Sequence, residues 1–424
     1  ERSLRVIALE GRDRVGGRVM WRSVGSVGVP AELGAEFIHG AAPETSALLR
    51  EAGLASVETG SAAWSCGPAG GLRAVDDDDF KSGDIFERVR SLAEDESVDV
   101  FLRRFEHDPS MREQAQRARA FVEGFEAADP ALASVRSIAD EIRTGVDSSS
   151  SRPIGSYAPL FAFLAARCAR AGVDLRLGNA VERIVWKPGD VMVEARGKDG
   201  AGLTIRARCA VITVPVGVLR QAGDAKRLSF APSLPAEKQA ALRGLEMGHA
   251  VRVALTFHTP FWEQTGGGRY RDAAFFRCEG GAFNAFWTQL PRRSRSIVAW
   301  AGGPRATAMD GLPAQARIDR ARDDFGAMFG QRDLARREYE AGATHDWSTD
   351  PFACGAYSYV AAGAGAARAA LGVPLAETLF FAGEATATNG QGGTVSGAFE
   401  TGIRAAREAV RALEIASAPA KFLP

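Results

Sequence analysis

At 424 residues the chain is too long for one ordinary hydrophobic core and points to two domains. Its 52 basic and 52 acidic residues cancel, which argues against a general binder of nucleic acid or of a membrane surface. No apolar run reaches the roughly 18 residues of a bilayer span, and charges interrupt the tail at 405–424.

The first predicted element is a strand over residues 4–9, broken only by Arg5 and patterned like one buried on both faces. Glu10 ends it, where a dinucleotide-binding fold carries the acid for the adenosine ribose hydroxyls. Gly16 and Gly17 let the backbone approach a pyrophosphate, with Arg14 and Arg18 on either side; a surface turn with solvated arginines is the other reading. The GxGxxG turn of such a fold stands roughly 20 residues before the acid, yet only nine residues precede Glu10. The expectation is an N-terminally truncated fragment lacking its first strand, phosphate loop and first helix. A helix follows over 45–52, closed by Gly53.

From 61 to 147 charge rises and strand signals fade, with helices expected over 85–92 and 111–125. The acidic run 76–79 has no ordered ligand spacing and reads as a solvated loop, so no metal site is expected. The serines at 148–151 read as a linker. Tyr157, Leu160, Phe161, Leu164 and Cys168 recur at helical spacing, which predicts a buried Cys168. The other cysteines, Cys66, Cys209, Cys278 and Cys354, are scattered, and the five together suggest neither a disulfide framework nor a zinc site. Strands are predicted over 180–186, 191–195 and 210–214, the last ended by Pro215. In HAVRVALTFHTPFW, alternation sets Val251, Val253, Leu255 and Phe257 on one strand face and Arg252, Ala254 and Thr256 on the other.

Near the C-terminus LFFAGEATATNGQGGTVSGAFETGIRAA runs from a strand at 379–382 through a Gly-rich loop into a helix starting near Thr394. The helix's first N–H groups and positive dipole end suit an electron-rich ring or a phosphate. Glu384, directly after Gly383, offers a carboxylate to ribityl or ribose hydroxyls. Glycines serving only the turn are the alternative.

LEGRDRVGGR and ELGAEFIHG near the start, RCAVITVPVGVL, DWSTDPFACGAYSYV, and the C-terminal segment together resemble the flavin-containing amine oxidase family. That family includes monoamine oxidases, polyamine oxidases and histone lysine demethylases. The motifs span nearly the whole chain in the family's order. The resemblance implies an α/β fold: an FAD-binding dinucleotide (Rossmann-like) domain at 1–60, 153–230 and 372–424, interleaved with an α+β substrate domain at 61–152 and 231–371. It also implies Gly34, Ala35 and Phe37 along the flavin, and backbone near Val181 against adenine. Arg12, Glu36, Pro215, Trp347 and Val395 complete the implied cofactor residues. The linking position of relatives with covalent flavin falls on Ala356, with Cys354 two residues away, so non-covalent FAD is expected. Membrane-anchored monoamine oxidases carry an apolar tail that this chain lacks, and a cytoplasmic location follows, although a signal peptide upstream stays open.

A flavin accepts a hydride equivalent from the carbon next to a neutral amine, and the protein orients the substrate and tunes the ring. Tyr357 matches the first of the two tyrosines that flank the amine in monoamine oxidases; Thr394 falls at the second, as in the polyamine oxidase and demethylase branch. His39 is a proton acceptor, a substrate partner or a structural hydrogen-bonding residue. Trp347, Phe352 and Tyr359 line a channel or fill the core. Many relatives carry a lysine where Arg252 stands, and a guanidinium cannot serve as a base. Arg252 therefore binds water near flavin N5, pairs with a substrate carboxylate, or forms a structural salt bridge. The reading is oxidation of a primary or secondary amine to an imine, with oxygen as acceptor and hydrogen peroxide as product. No nucleic-acid or membrane partner is expected, and the oligomeric state stays open. An amino-acid oxidase using Arg252, or a non-catalytic fragment that does not retain FAD, are the alternatives.

Overall fold

The structure, a computed structural model, describes residues 4–26, 30–66, 71–75, 83–146, 149–220 and 228–415. The acidic run 76–79 lies outside these residues. The strand Ile7–Glu10 pairs in parallel with Asp174–Leu177, and Ala210–Ile212 pairs in parallel with Leu379–Phe381. Glu10 and Gly383 thus stand at or just beyond carboxyl ends of parallel strands, where open α/β sheets bind ligands. Beside these pairs lies a four-stranded sheet in the order Gly202–Ala207, Asp190–Gly197, Asn179–Lys187, Ser229–Ala231. Ile212, Leu379, Phe381, Leu245 and Leu371 join one core beneath it.

A seven-stranded sheet runs Tyr339–Asp346, Ala250–Phe257, Ser296–Gly302, Ala285–Trp287, Phe275–Arg277, Ala63–Cys66, Leu72–Val75. Phe257, Phe261, Trp262, Phe276 and Phe286 meet Phe325 of the helix Ala314–Met328 in its core, mostly edge to face. A helical layer of Val98–Arg103, Arg112–Gly124 and Val135–Arg143 packs around Phe101, Val122 and Ile138. Its last helix starts where the Ser134 hydroxyl accepts the Ser137 N–H at 3.0 Å, an N-cap. Among the described residues no helix is long and apolar enough to cross a membrane.

Both faces of Ala250–Phe257 are buried. Three local expectations are corrected. Ser150–Pro153 is a strand between Ile38–His39 and Ser56–Glu58, not a linker, because its backbone finds partners about a hundred residues away in sequence. Cys168, in the last turns of the helix Ala158–Arg170, is exposed; the buried stripe holds Tyr157 and Leu160 and does not extend to the helix's end. Cys66 and Cys278 form a disulfide, 212 residues apart, next to the paired residues Ser65 and Arg277 of adjacent parallel strands.

Candidate active site

The residues implied for the cofactor gather at the ends of the two parallel pairs. Glu10 accepts the Arg12 N–H through Oε1 at 2.8 Å, and its second oxygen has no partner among the described residues. Gly16 and Gly17 take φ of +104° and +55°, so the turn they form suits residues without Cβ. Arg14 is turned inward, donating to the carbonyls of Val19 and Gly17 at 2.9 Å each, and burial lowers its pKa. Arg12 forks onto Asp350 at 2.7 and 2.6 Å, with its guanidinium near the Trp347 and Phe352 rings. Trp347 is buried and donates to Leu33 O at 2.9 Å.

Glu384 is the hub of the second pair. It takes Arg18 at 2.8 Å, the Ser358 hydroxyl at 2.6 Å and the Gly393 N–H at 3.0 Å, with Arg368 at 3.8 Å. Burial alone would raise its carboxyl, but the Arg18 and Arg368 charges and these hydrogen bonds hold it below its ordinary value. Both oxygens accept hydrogen bonds within the chain, so Glu384 anchors the loop here. Arg18, Thr213, Pro215, Gly383 and Glu384 line a pocket at the strand ends. Val181 sits at a register shift between Asn179–Lys187 and its antiparallel neighbour, a natural break in the ladder.

Gly34 and Ala35 lie against Arg18: the Ala35 N–H donates to Arg18 O at 3.2 Å, and a Cβ on Gly34 would sit 1.9 Å from that oxygen. Only glycine permits this approach. Gly34 O accepts Arg252 Nη1 at 2.6 Å, and Arg252 Nη2 pairs with Glu36. Glu36 also takes Arg152 at 2.9 Å, Trp287 Nε1 at 3.0 Å and Gln289 at 3.2 Å. Burial would raise its carboxyl, yet the Arg252 and Arg152 charges keep it below the ordinary value. Of the three roles open to Arg252, the structure contains the salt bridge.

His39, Tyr357 and Thr394 converge. The Tyr357 hydroxyl donates to Phe125 O at 2.5 Å, and the His39 ring meets the Phe125 ring edge-on at 5.0 Å. Gln391 donates to the carbonyls of His39 and Ala41 at 3.3 Å each, and the Thr394 hydroxyl lies 2.9 Å from both Gln391 oxygens. Burial pushes the His39 imidazole down to about 4, so it is neutral at physiological pH; Ser150 Oγ lies 3.0 Å from Nδ1. Burial, with the Glu126 and Glu384 charges, raises the Tyr357 phenol well above its ordinary value. Thr394 caps the helix Val395–Ile415 by accepting the Gly397 N–H at 3.0 Å, while the Val395 and Ser396 N–H groups have no acceptor among the described residues.

These observations fit an FAD. A half-used carboxylate ends one parallel pair, positive-φ glycines form the turn after it, and two unclaimed amides open a helix at the other. Sequence reasoning missed Phe125, Gln391, Arg152, Arg368 and Trp287. Gln391 alone carried a local signal, as the polar residue inside the Gly-rich loop.

A family model described as flavin containing amine oxidoreductase matches residues 1–68 and 68–410, so the chain belongs to that family. Polyamine oxidase 3 of Oryza sativa subsp. japonica is 27% identical over 448 residues, spanning 97% of this chain and 86% of that protein. Lysine-specific histone demethylase 1 homolog 3 of Arabidopsis thaliana is 31% identical, over 58% of this chain and 15% of its own length. Cyclohexylamine oxidase from Brevibacterium oxydans has the same fold, with a TM-score of 0.77 at 20% identity over 96% of this chain and 93% of that one. A putrescine oxidase variant gives 0.76 at 19% identity, over 95% and 93%. The fold is therefore a Rossmann-like FAD domain with a substrate domain, and the chain is a flavin-dependent amine oxidoreductase.

Proposed function

We propose that the chain oxidises a primary or secondary amine to an imine with non-covalently bound FAD, and that molecular oxygen takes up the electrons as hydrogen peroxide. The carrying observation is the convergence of His39, Tyr357 and Thr394 beside two helix amides without acceptors. FAD, when bound, supplies the acceptor for a hydride equivalent from the carbon next to nitrogen. The chain's residues do the rest. Phe37 and Phe125 flank His39, with Phe121 stacked on Phe125, and favour an uncharged amine over an ammonium. His39, held neutral, orients the amine rather than storing its proton. Tyr357 presents a fixed phenol, and the Val395 and Ser396 amides offset negative charge at the ring edge.

Non-covalent binding is supported by Ala356 at the linking position, buried with its N–H on Gly248 O. An aliphatic amine substrate is supported by the names of the polyamine, putrescine and cyclohexylamine oxidases. An amino acid held through Arg252 is not favoured, because Glu36 and Gly34 already occupy that guanidinium. The Cys66–Cys278 disulfide argues for an oxidising compartment instead of the expected cytoplasm. The test is the visible spectrum of the FAD-loaded chain, recorded anaerobically with amines, polyamines and α-amino acids in turn. Bleaching by amines, followed by peroxide on admitting air, is expected; bleaching by α-amino acids alone, or by nothing, rejects the reading.

A further inference from the structure

The turn 10–18, which carries residues implied for the cofactor, is held at three points by one loop, 347–357, from the far end of the sequence. Arg12 forks onto Asp350, 338 residues away, at 2.7 and 2.6 Å. A Cβ on Gly11 would stand 2.5 Å from the Phe352 ring, so the backbone between Glu10 and Arg12 lies directly on that ring. Arg18 Nη1 donates to Ala356 O at 2.9 Å. Asp350 is itself firmly fixed. It is 6% exposed, its Oδ1 accepts the Phe352 N–H at 2.9 Å, its carbonyl takes the Ala353 and Cys354 N–H groups, and His345 Nε2 lies 2.8 Å from Oδ2. Burial would raise this carboxyl, but the His345 and Arg12 hydrogen bonds hold it well below its ordinary value, so it is ionised at neutral pH. An ionised carboxylate only accepts, so His345 Nε2 carries a proton and donates it. Glu10 is half-buried and accepts one hydrogen bond among the described residues, from the Arg12 N–H at 2.8 Å. The Arg12 carbonyl takes the Gly178 N–H at 2.6 Å. Arg12 is thus pinned through backbone and side chain alike, and its peptide N–H in turn sets the Glu10 carboxylate.

We propose that Asp350 is a positioning residue for the adenosine end of FAD, holding Arg12 so that the second oxygen of Glu10 is aimed at the adenosine ribose hydroxyls. The inference rests on Glu10 as the ribose acid and adds what holds that acid in place. Asp350 touches no cofactor atom in this role; it acts through Arg12 on Glu10, and His345 acts on Asp350. A flavin without adenosine gains nothing from the arrangement, so Asp350 favours FAD over FMN. The same loop runs on to Tyr357 and the amine-side cluster, so one segment serves both ends of the cofactor site.

Binding rather than turnover tests this, which keeps its failure separate from that of the amine-oxidation reading. FAD, and FMN, which lacks the adenosine, are titrated into wild type, Asp350→Asn, Glu10→Ala and the double variant, with flavin fluorescence as the signal. Asp350→Asn should raise the FAD dissociation constant by about tenfold, as for loss of one charge-assisted hydrogen bond, and leave that of FMN unmoved. Because Asp350 acts through Glu10, the double variant should bind FAD within about twofold of Glu10→Ala alone. Unchanged FAD affinity in Asp350→Asn, an equal loss for FMN, or losses that multiply in the double variant overturn the proposal. If FMN binds none of the four, the double variant decides alone. Should Asp350→Asn not fold, Arg12→Lys keeps a cation against Asp350 without the planar fork and takes its place in the same cycle, where FAD affinity equal to wild type overturns the proposal. If FAD affinities follow this pattern but no amine bleaches the flavin, Asp350 keeps its role and the oxidase reading falls. If amines bleach the flavin and Asp350→Asn holds FAD as tightly as wild type, the Asp350 assignment alone falls. A wild type that binds no FAD overturns both.

Discussion

Two buried ionisable groups carry the clearest consequences for single residues. The folded chain holds a proton on Glu32 up to pH about 8, while the unfolded carboxyl releases it near its ordinary 4.5. Between those values the folded state binds the extra proton, so this contribution to stability is complete at the acid end and is lost as pH rises through the window. Glu32→Gln keeps an acceptor for the Tyr157 N–H and removes the titration. Thermal midpoints of wild type are thus expected to fall more steeply between pH 5 and 8 than those of the variant, and parallel curves would reject the assignment. Arg252 is the opposite case, a cation fixed against Glu36. Arg252→Met leaves that carboxylate buried with Arg152 as its one cation and should cost roughly 3 kcal/mol in a denaturant titration. Adding Glu36→Gln to it should recover part of the loss, because the uncompensated charge goes too.

At the scale of elements, the last helix and the disulfide each supply a test. The Thr394 hydroxyl caps Val395–Ile415 and steadies Gln391. Thr394→Val should lower unfolding free energy by about 1 kcal/mol and weaken FAD retention, whereas Thr394→Ser should do neither. Cys66→Ser opens a link between strands 212 residues apart in sequence and should cost about 2–4 kcal/mol. Wild type unfolded in a thiol reductant should then match the variant; a midpoint unmoved by reductant would show that the bridge contributes nothing. Elements with strong periodicity were legible from the sequence: Asn179–Lys187, Arg112–Gly124 and the C-terminal strand and helix lie within a few residues of expectation. The polar strand Ser150–Pro153 was not, since its serines give no alternation and its pairing comes from distant chain. Nor was the Glu36 network. Its partners Arg252 and Trp287 are 216 and 251 residues away, and only folding makes them neighbours.

For the whole molecule, the two parallel pairs share no strand-to-strand hydrogen bonds among the described residues. Leu4 and Val6 next to the first pair, and Leu175 and Leu177 within it, are more than a third exposed, so that pair gains little from burial, whereas Ile212, Leu379 and Phe381 of the second are buried. The groups that fit the cofactor are divided between them: Glu10 ends one pair, and the loop after the other leads to the Val395 and Ser396 amides. A ligand spanning both would add to the Arg18–Glu384 ion pair a second tie between strand pairs that no strand-to-strand hydrogen bond joins. Because it would bind the folded chain and not the unfolded one, FAD at about 100 times its dissociation constant should stabilise by about 2.7 kcal/mol. The thermal midpoint should therefore climb with FAD concentration. Glu10→Ala should shift that dependence to higher FAD while leaving the ligand-free midpoint close to wild type, since Glu10 accepts one local hydrogen bond and no ion pair. A midpoint indifferent to FAD would mean that the two pairs do not act as halves of one nucleotide site.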